Sequence, residues 1–487
     1  MKTINIKVNI VLNVIRNISG MLFPIITYPY ILRVLQVENV GKYNFSASII
    51  SYFTLIAGLG ISTYAIREGI QYRNSNEKMI EFSNAVFSVN LLSTMISYFS
   101  LALFMFTIPQ FIECSIYIFV LSGEILFSAL EQNWIFNIYE DFLFIAIQTL
   151  VLQLISLLCI FTFVRNEDDL LLYCIFLTSV KIISHIVGMI YVRKKYCRYI
   201  FMFSCKLVRH IKPIIIIFFL NIAVVIYVNS DITMLGLLTN DFQVGLYSMS
   251  AKIYSIIKNI LAAMLMVLIP RFSMIYKNNE YQKAGKLFVK VFNILTVLLL
   301  PVATGLFMMS DKIIYIFAGE SYLAGDRALK ILCLAIAFSL YAYMFIHCAL
   351  IPTERETCVL IATAVSAVVN ISLNYILIPY GGIDAAAFTT VLAEVCVWIM
   401  AMIGAKDIIR LRGVWRNLIE VILGCISIML LCYLLRMCIN DNIMCLCISI
   451  LSSLIVYIFT LITMGNDVMC VIIKAIRKIN VNETNLR

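Results

Sequence analysis

The sequence predicts an all-α polytopic membrane protein, with about fourteen transmembrane helices arranged as two pseudo-symmetric six-helix lobes around a central cavity, plus two C-terminal helices. Three observations predict it. Of 487 residues, 62% are apolar and 13% charged, with mean hydropathy +0.97. Such a chain would present a largely apolar surface to water, so its solvent is the bilayer. Next, Val40, Gly41, Tyr43, Ser46, Ala47, Ile49, Ser51 and Ile56 return 204 positions later as Val244, Gly245, Tyr247, Ser250, Ala251, Ile253, Ser255 and Ile260, eight identities in seventeen positions. The same offset carries Asn17 onto Asn221 and Arg67 onto Arg271, so the two halves share one plan. Finally, Lys and Arg gather in alternate loops, which only a chain threading back and forth explains.

Crossing about 30 Å of hydrocarbon takes roughly 20 apolar residues. Approximate spans are 8–34, 43–66, 79–108, 111–136, 142–164, 170–192, 211–238, 243–269, 286–309, 328–350, 357–379, 384–404, 416–437 and 443–464. With the second and eighth spans equivalent, the repeat unit holds six spans. An even number inserts both halves in one orientation, related by an axis along the membrane normal. The lobes are expected at 1–200 and 201–412, divided in the basic loop from Arg193 to Lys212, and 413–487 adds two helices and a basic tail. That tail would start as a surface helix with Val468, Ile472 and Ile476 on one side, or fray as a polar end. The first span is too long for a signal-peptide core and is expected to be retained.

Net charge +10 is explained by position rather than by nucleic acid. One set of loops holds Arg67, Arg193, Lys194, Lys195, Arg271, Lys277, Lys283, Lys286, Lys406, Arg410 and Arg412. The other set holds Lys42, Arg165, Lys312 and Arg327 beside Glu167, Asp168, Asp169, Glu320 and Asp326. The positive-inside rule then makes both termini cytoplasmic. Fifteen cysteines are scattered without CxxC spacing or a companion histidine cluster, so no metal or cofactor is expected and buried thiol packing is.

Charges inside hydrocarbon are costly unless they face water or a partner, so each is a functional candidate. The first span carries Asn13, Arg16, Asn17, Gly20, Pro24 and Thr27 along one face, and the seventh carries Asn221 and Asp231. Ser248, Lys252, Ser255 and Asn259 share a face of the eighth span, and Asn44, Ser48 and Ser51 stand at equivalent steps of the second. A stripe repeated in both halves suggests a shared lining; interhelical hydrogen bonding is the alternative use of such residues. Lys252 is too deep to snorkel. Lys258 lies on another face, with Asp231 or Glu124 as conceivable partners. Lys181 and His185 are one turn apart, and His185 is a candidate for a coupling proton. Glu124, Glu131 and Glu394 are candidate ion or proton sites. Arg16, Lys181, Lys252 and Lys258 suggest a basic cleft that attracts an anion, with Arg67 and Arg271 as a symmetric pair at its mouth.

The run Phe23, Pro24, Ile25, Ile26, Thr27, Tyr28, Pro29, Tyr30, Ile31, Leu32, Arg33, Val34, Leu35, then Val40, Gly41, Tyr43 and the stretch from Gly58 to Glu68, resembles the opening of polysaccharide-unit flippases. This is the O-antigen and capsule translocase family of the multidrug/oligosaccharidyl-lipid/polysaccharide exporter superfamily. Asp231, Met234, Leu235, Gly236, Ile269, Pro270, Arg271 and the run from Asn370 to Gly381 carry the resemblance through the second half, over roughly residues 8–405. One departure is Gln36, Val37, Glu38, where relatives commonly place a glycine after the leucine. The resemblance implies flipping of an undecaprenyl-pyrophosphate-linked oligosaccharide between leaflets of a bacterial cytoplasmic membrane. It also implies a coupling H+ or Na+, polymerase and chain-length partners, and contact with membrane lipid. The rivals are a cation-coupled drug exporter of the same superfamily, whose cavity acids would dominate, and a polytopic polymerase or glycosyltransferase, which needs a long catalytic loop. No connection here exceeds about 20 residues.

Overall fold

The computed structural model describes residues 6–202, 208–411 and 413–471. The side chains at 6–15, 17, 18, 21, 208, 209, 216 and 220 lie outside the described set. Asn13, Asn17 and Arg412 therefore receive no side-chain account, and the expected tail helix falls beyond the described residues from 472 onward.

The chain forms two compact units, residues 1–248 and 249–487. The first contains α1 (Ile6–Gly58), α2 (Ile61–Gly69), α3 (Asn76–Met105), α4 (Pro109–Glu113), α5 (Ser115–Leu121), α6 (Gly123–Ser128), α7 (Asn133–Tyr139), α8 (Phe142–Phe163), α9 (Leu170–Lys195), α10 (Val208–Leu238) and the start of α11 (Asp241–Met266). The second continues α11 and adds α12 (Ile269–Lys277), α13 (Tyr281–Met308), α14 (Ser310–Ala318), α15 (Asp326–Phe345), α16 (Glu356–Gly404), α17 (Val414–Cys438) and α18 (Asn442–Thr463). The described residues contain no strand.

Twelve helical stretches among the described residues are long and apolar enough to cross a membrane. The sequence suggested fourteen separate ones. The difference arises where helical bonding runs on through a single non-helical residue, Gln36 in α1 and Gly382 in α16. At Gly382 the chain doubles back. Ser366 donates to the carbonyl of Ala393 at 2.8 Å, although a straight helix would hold them about 40 Å apart. At Gln36 it does the same, since Tyr28 before the break interacts with Asn44 and Tyr43 after it. Both breaks sit at positive φ, 61° for Gln36 and 51° for Gly382, where glycine is the natural occupant. The departure noted in the sequence, a glutamine where relatives place glycine, is the hinge residue of α1. Its image under the 204-residue shift, Asn240, stands at the α10–α11 turn and accepts from the Gln243 amide at 3.0 Å.

The span expected over 111–136 is found as Ser115–Tyr139, one of the twelve, but it is not one unbroken helix. It is a chain of short helices, α4 to α7, interrupted near Cys114, Ser122 and Gln132. Broken helix is tolerated inside a membrane only where freed carbonyls find other donors. Here Ser122 donates to Phe119 at 2.6 Å, Gln132 to Leu130 at 3.1 Å, and Asn90 of α3 to Ser128 at 3.4 Å.

In the first unit the aromatic core around Tyr64, Phe82, Trp134, Phe136 and Tyr199 joins α2, α3 and α7. In the second, α17 and α18, which have no counterpart in the duplication, pack through Val421, Ile428, Tyr457 and Leu461 onto Val297 of α13. Tyr457 also donates to the Val297 carbonyl at 2.8 Å.

The repeated Val-Gly-x-Tyr block owes its glycines to a crossing inside the first unit. A Cβ on Gly41 would overlap the carbonyl of Asp241, and one on Gly245 would overlap the carbonyl of Val37. These contacts are images of one another under the 204-residue shift. Each glycine thus admits the carbonyl that stands four residues before the other. Beside the crossing, Gly236 of α10 admits the ring of Phe45.

Candidate functional site

The interrupted span places Glu124 at the start of α6 and Glu131 in the link to α7. Facing them, α9 presents Lys181 and His185, one turn apart. Lys181 Nζ lies 2.5 Å from Glu124 Oε2. Asn133 donates to Glu131 at 2.8 Å. Arg16 of α1 interacts electrostatically with Glu131, and His185 with Glu131, Glu124 and Lys181. Five residues from three of the expected spans therefore form one constellation. Gln148 of α8 fixes α9 beside it by donating to the Ser184 carbonyl at 2.6 Å.

Exposure shows what this constellation needs. The Lys181 side chain is 52% exposed and that of Glu124 24%, and Lys181 lies near the middle of α9. Hydrocarbon does not tolerate a half-exposed ion pair at that depth, so the exposed side requires water.

The second charged site lies in the second unit. Lys258 Nζ is 2.8 Å from Glu394 Oε1, and Tyr254 donates to the same oxygen at 2.8 Å. The partner of Lys258 is therefore Glu394, not Asp231 or Glu124 as the sequence suggested. Residues 254 and 258 share a face of α11 one turn apart, and the returning half of α16 brings Glu394 to it. Two of the four cations expected to make a basic cleft, Lys181 and Lys258, are already neutralised. Glu394 is buried. Lys252 is half-buried on α11. Arg67 on α2 is exposed and reaches Glu68 at 3.5 Å, while Arg271 on α12 is exposed.

Asp231 is buried on α10 and accepts from Tyr247 at 2.6 Å. Near it, Tyr52 and Thr233 lie 3.1 Å apart, and Thr233 donates to Ser48 at 2.9 Å. Ser48 thus serves interhelical bonding rather than an open lining. The sequence reading missed the buried set in α16, where Asn374 donates to Asn370 at 3.1 Å and Thr389 donates to Asn374. Two asparagines four residues apart in an apolar run were its available signal. No group of three or more His, Cys, Asp or Glu among the described residues could hold a metal ion.

Comparison with known proteins decides the family. Residues 6–276 match the model of the polysaccharide biosynthesis protein family, more than half of the chain. The chain belongs to that family. Among its relatives are two proteins named Putative O-antigen transporter. That of Escherichia coli K12 is 19% identical over 256 residues, 52% of this chain and 62% of the relative. That of Shigella dysenteriae is 25% identical over 279 residues, 55% and 68%. The chain thus spans less than two thirds of the first relative's length. Among solved structures, the lipid II flippase MurJ in an inward closed conformation superposes with TM-score 0.71 at 15% identity, over 93% of this chain and 98% of that one. An inward-facing multidrug resistance MATE transporter of the MOP superfamily gives 0.54 at 13%, over 80% and 98%. At these identities the structures establish the fold. This member of the polysaccharide biosynthesis family is a multi-pass membrane protein with the fold shared by those two structures.

Proposed function

We propose that the chain is a lipid-linked oligosaccharide flippase. It moves undecaprenyl-pyrophosphate-linked polysaccharide repeat units from the inner to the outer leaflet of the bacterial cytoplasmic membrane by alternating access. The observation that carries the proposal is the constellation of Arg16, Glu124, Glu131, Lys181 and His185, in which the exposed Lys181 of α9 meets the half-buried acids of the interrupted span in mid-membrane. A polar head cannot cross hydrocarbon unaided, and charged groups that need water at mid-depth supply the wet path it requires. Family membership and the names of the relatives support the same substrate class.

In this proposal the chain crosses fourteen times with both termini cytoplasmic. Its lobes are residues 1–200 and 201–412, and 413–487 are appended. Asn17, Asp231, Lys252, Lys258, Arg67 and Arg271 join Arg16 and Lys181 along the path of the head group. Glu394 and His185 are further candidates for a coupling H+ or Na+. An inside-negative potential favours outward movement of an anion by about 2.3 kcal/mol per charge per 100 mV.

Clean deletion in the native host tests the proposal. Surface polysaccharide should vanish while lipid-linked repeat units accumulate on the cytoplasmic side. Normal polysaccharide, with no second flippase present, would refute it. Arg16→Ala and Lys252→Ala should lose complementation while still inserting, and full activity would remove them from the path. Efflux of cationic dyes in place of the polysaccharide phenotype would favour a drug exporter.

A further inference from the structure

The first unit's constellation is electrically balanced as it stands. By formal charge, Arg16 and Lys181 contribute two positive charges and Glu124 and Glu131 two negative ones, with His185 beside them. Lys181 already spends its charge on Glu124. A pyrophosphate diester, with one negative charge on each phosphate, would meet no net attraction here and would leave Glu124 beside it without a cation.

We propose, resting on the flippase function above, that binding of the anionic head at this constellation takes up a proton. The phosphate displaces Glu124 from Lys181, so that Lys181 Nζ–H donates to a phosphate oxygen instead of Glu124 Oε2. One proton from water then converts the released Glu124 carboxylate to its neutral acid. Glu124 is a built-in counter-ion, occupying the lysine until the substrate arrives. A displaced carboxylate that remained ionised would sit three-quarters buried beside two further negative charges. Protonation is the less costly outcome at such a site.

The surroundings offer few other sites for that proton. On α9 stand Lys181, His185 and Tyr173, and on α1 Arg16 and Tyr43, the latter in electrostatic contact with Glu124 and with its ring edge-on to that of Tyr173 at 5.0 Å. The α6–α7 link supplies Glu131, which already accepts from Asn133. Tyr117 is the titratable residue of α5, and Tyr98 of α3 reaches Ser122. The charged residues of α3, Glu77, Lys78 and Glu81, lie in its first turns, and α8 contains no Asp, Glu, Lys, Arg or His. Glu124, Glu131 and His185 are therefore the groups that can change charge; Glu131 keeps Asn133 and Arg16 beside it, and Glu124 is the one the anion evicts. By reciprocity a proton on Glu124 raises affinity for the anion as much as the anion raises affinity for the proton.

The test uses the full chain in lipid nanodiscs and a synthetic geranylgeranyl-pyrophosphoryl-glucose, whose two phosphates do not titrate near neutrality. Calorimetry in buffers of different ionisation heat should show close to one proton taken up per probe bound at pH 6.5. The wild-type Kd should weaken with rising pH, approaching tenfold per unit. Glu124→Gln should bind at least tenfold more tightly at pH 8, with no proton uptake and a flat pH profile, and Lys181→Ala should abolish binding. Binding without proton uptake in the wild type, with Glu124→Gln leaving Kd unchanged, would overturn the inference and leave the flippase function standing. Uptake that survives Glu124→Gln but disappears in His185→Gln would also overturn it, by moving the proton to the histidine. No binding by a folded wild type at any pH would overturn both the inference and the assignment of this constellation to the head group.

Discussion

Gly245→Ala places one methyl group where the backbone of the opposing repeat already lies. Its Cβ would overlap the Val37 carbonyl oxygen and stand 2.9 Å from both the Val37 carbonyl carbon and a Val37 methyl, inside the 3.4–4 Å of ordinary contact. Two of these neighbours are backbone, which cannot swing aside, so the two helices must part at the crossing. Overpacking of this kind costs about 1–3 kcal/mol. Separation also gives up Cα–H to carbonyl contacts of about 0.5–1 kcal/mol each. Against this, alanine gains about 0.5–1 kcal/mol over glycine inside a helix. The balance is a loss of about 1–3 kcal/mol, read as a fall of several degrees in the melting temperature of purified protein in nanodiscs. Gly285→Ala is the matched control, because a Cβ there meets nothing within 4 Å. It keeps only the helix-propensity gain and should melt at or slightly above wild type. Equal behaviour of the two variants would refute the crossing as the reason for the repeated glycine.

Three further outcomes follow from particular contacts. Gln36→Gly should stabilise the fold by about 0.5–1.5 kcal/mol: relief of strain at φ 61° and ψ 173° outweighs glycine's added entropy and loss of the 3.0 Å bond to the Arg33 carbonyl; a lower melting temperature would contradict this. Asp141 Oδ2 accepts from Tyr196, Lys195 and Tyr191 at 2.6, 2.7 and 2.9 Å. Burial raises its pKa, but these bonds together hold it below the ordinary value. Its stabilisation is therefore present above the unfolded pKa near 3.9 and is lost as pH falls through the lower folded value. Asp141→Asn should cost about 1–3 kcal/mol at pH 7, and a difference from wild type that persists undiminished at pH 3 would count against the linkage. Asn466→Ala removes donors that reach Glu420 at 2.6 Å and Asn417 at 2.9 Å. It should cost about 1–3 kcal/mol and speed hydrogen exchange at the ends of α17 and α18; unchanged exchange would show that the network is dispensable.

Hydropathy and the 204-residue repeat were enough to recover the helical class and the positions of most spans, because length and apolarity alone determine whether a segment can cross. They do not report where a helix breaks. Span 111–136 reads as one apolar run, yet Ser122, Ser128 and Gln132 divert enough hydrogen bonding to interrupt it. Charges were legible one at a time, since each is costly in a bilayer, and Arg16, Glu124, Glu131, Lys181 and His185 were all singled out. Pairing was not legible. Glu124 and Lys181 are 57 positions apart, and Lys258 and Glu394 are 136 apart, so a count of cations along the sequence overstated the positive charge available to an anion. The repeated stripe suffered likewise. Ser48 and Lys252 occupy equivalent positions, but Ser48 is buried against Thr233; duplication preserves position and not use.

Pairing of the lysine with Glu124 also bears on how strongly the membrane potential can drive translocation. The protein's own charges return with the empty carrier, so at equilibrium only what is released on each side counts. A pyrophosphate diester moving alone carries two charges, and 100 mV is worth about 2.3 kcal/mol for each. At about 1.36 kcal/mol per factor of ten, that is about a 2,000-fold ratio between leaflets. Accompanied by the proton taken up at Glu124, it carries one net charge and reaches about 50-fold. Proteoliposomes held at 100 mV by a potassium gradient and valinomycin, with equal pH on both sides, separate the two cases through the equilibrium distribution of a labelled pyrophosphoryl lipid. Wild type should approach the smaller ratio. Glu124→Gln, lacking the group that takes the proton, should approach the larger ratio even if it flips slowly. A wild-type ratio in the thousands would show that the head crosses with both charges uncompensated and that Glu124 stays ionised throughout.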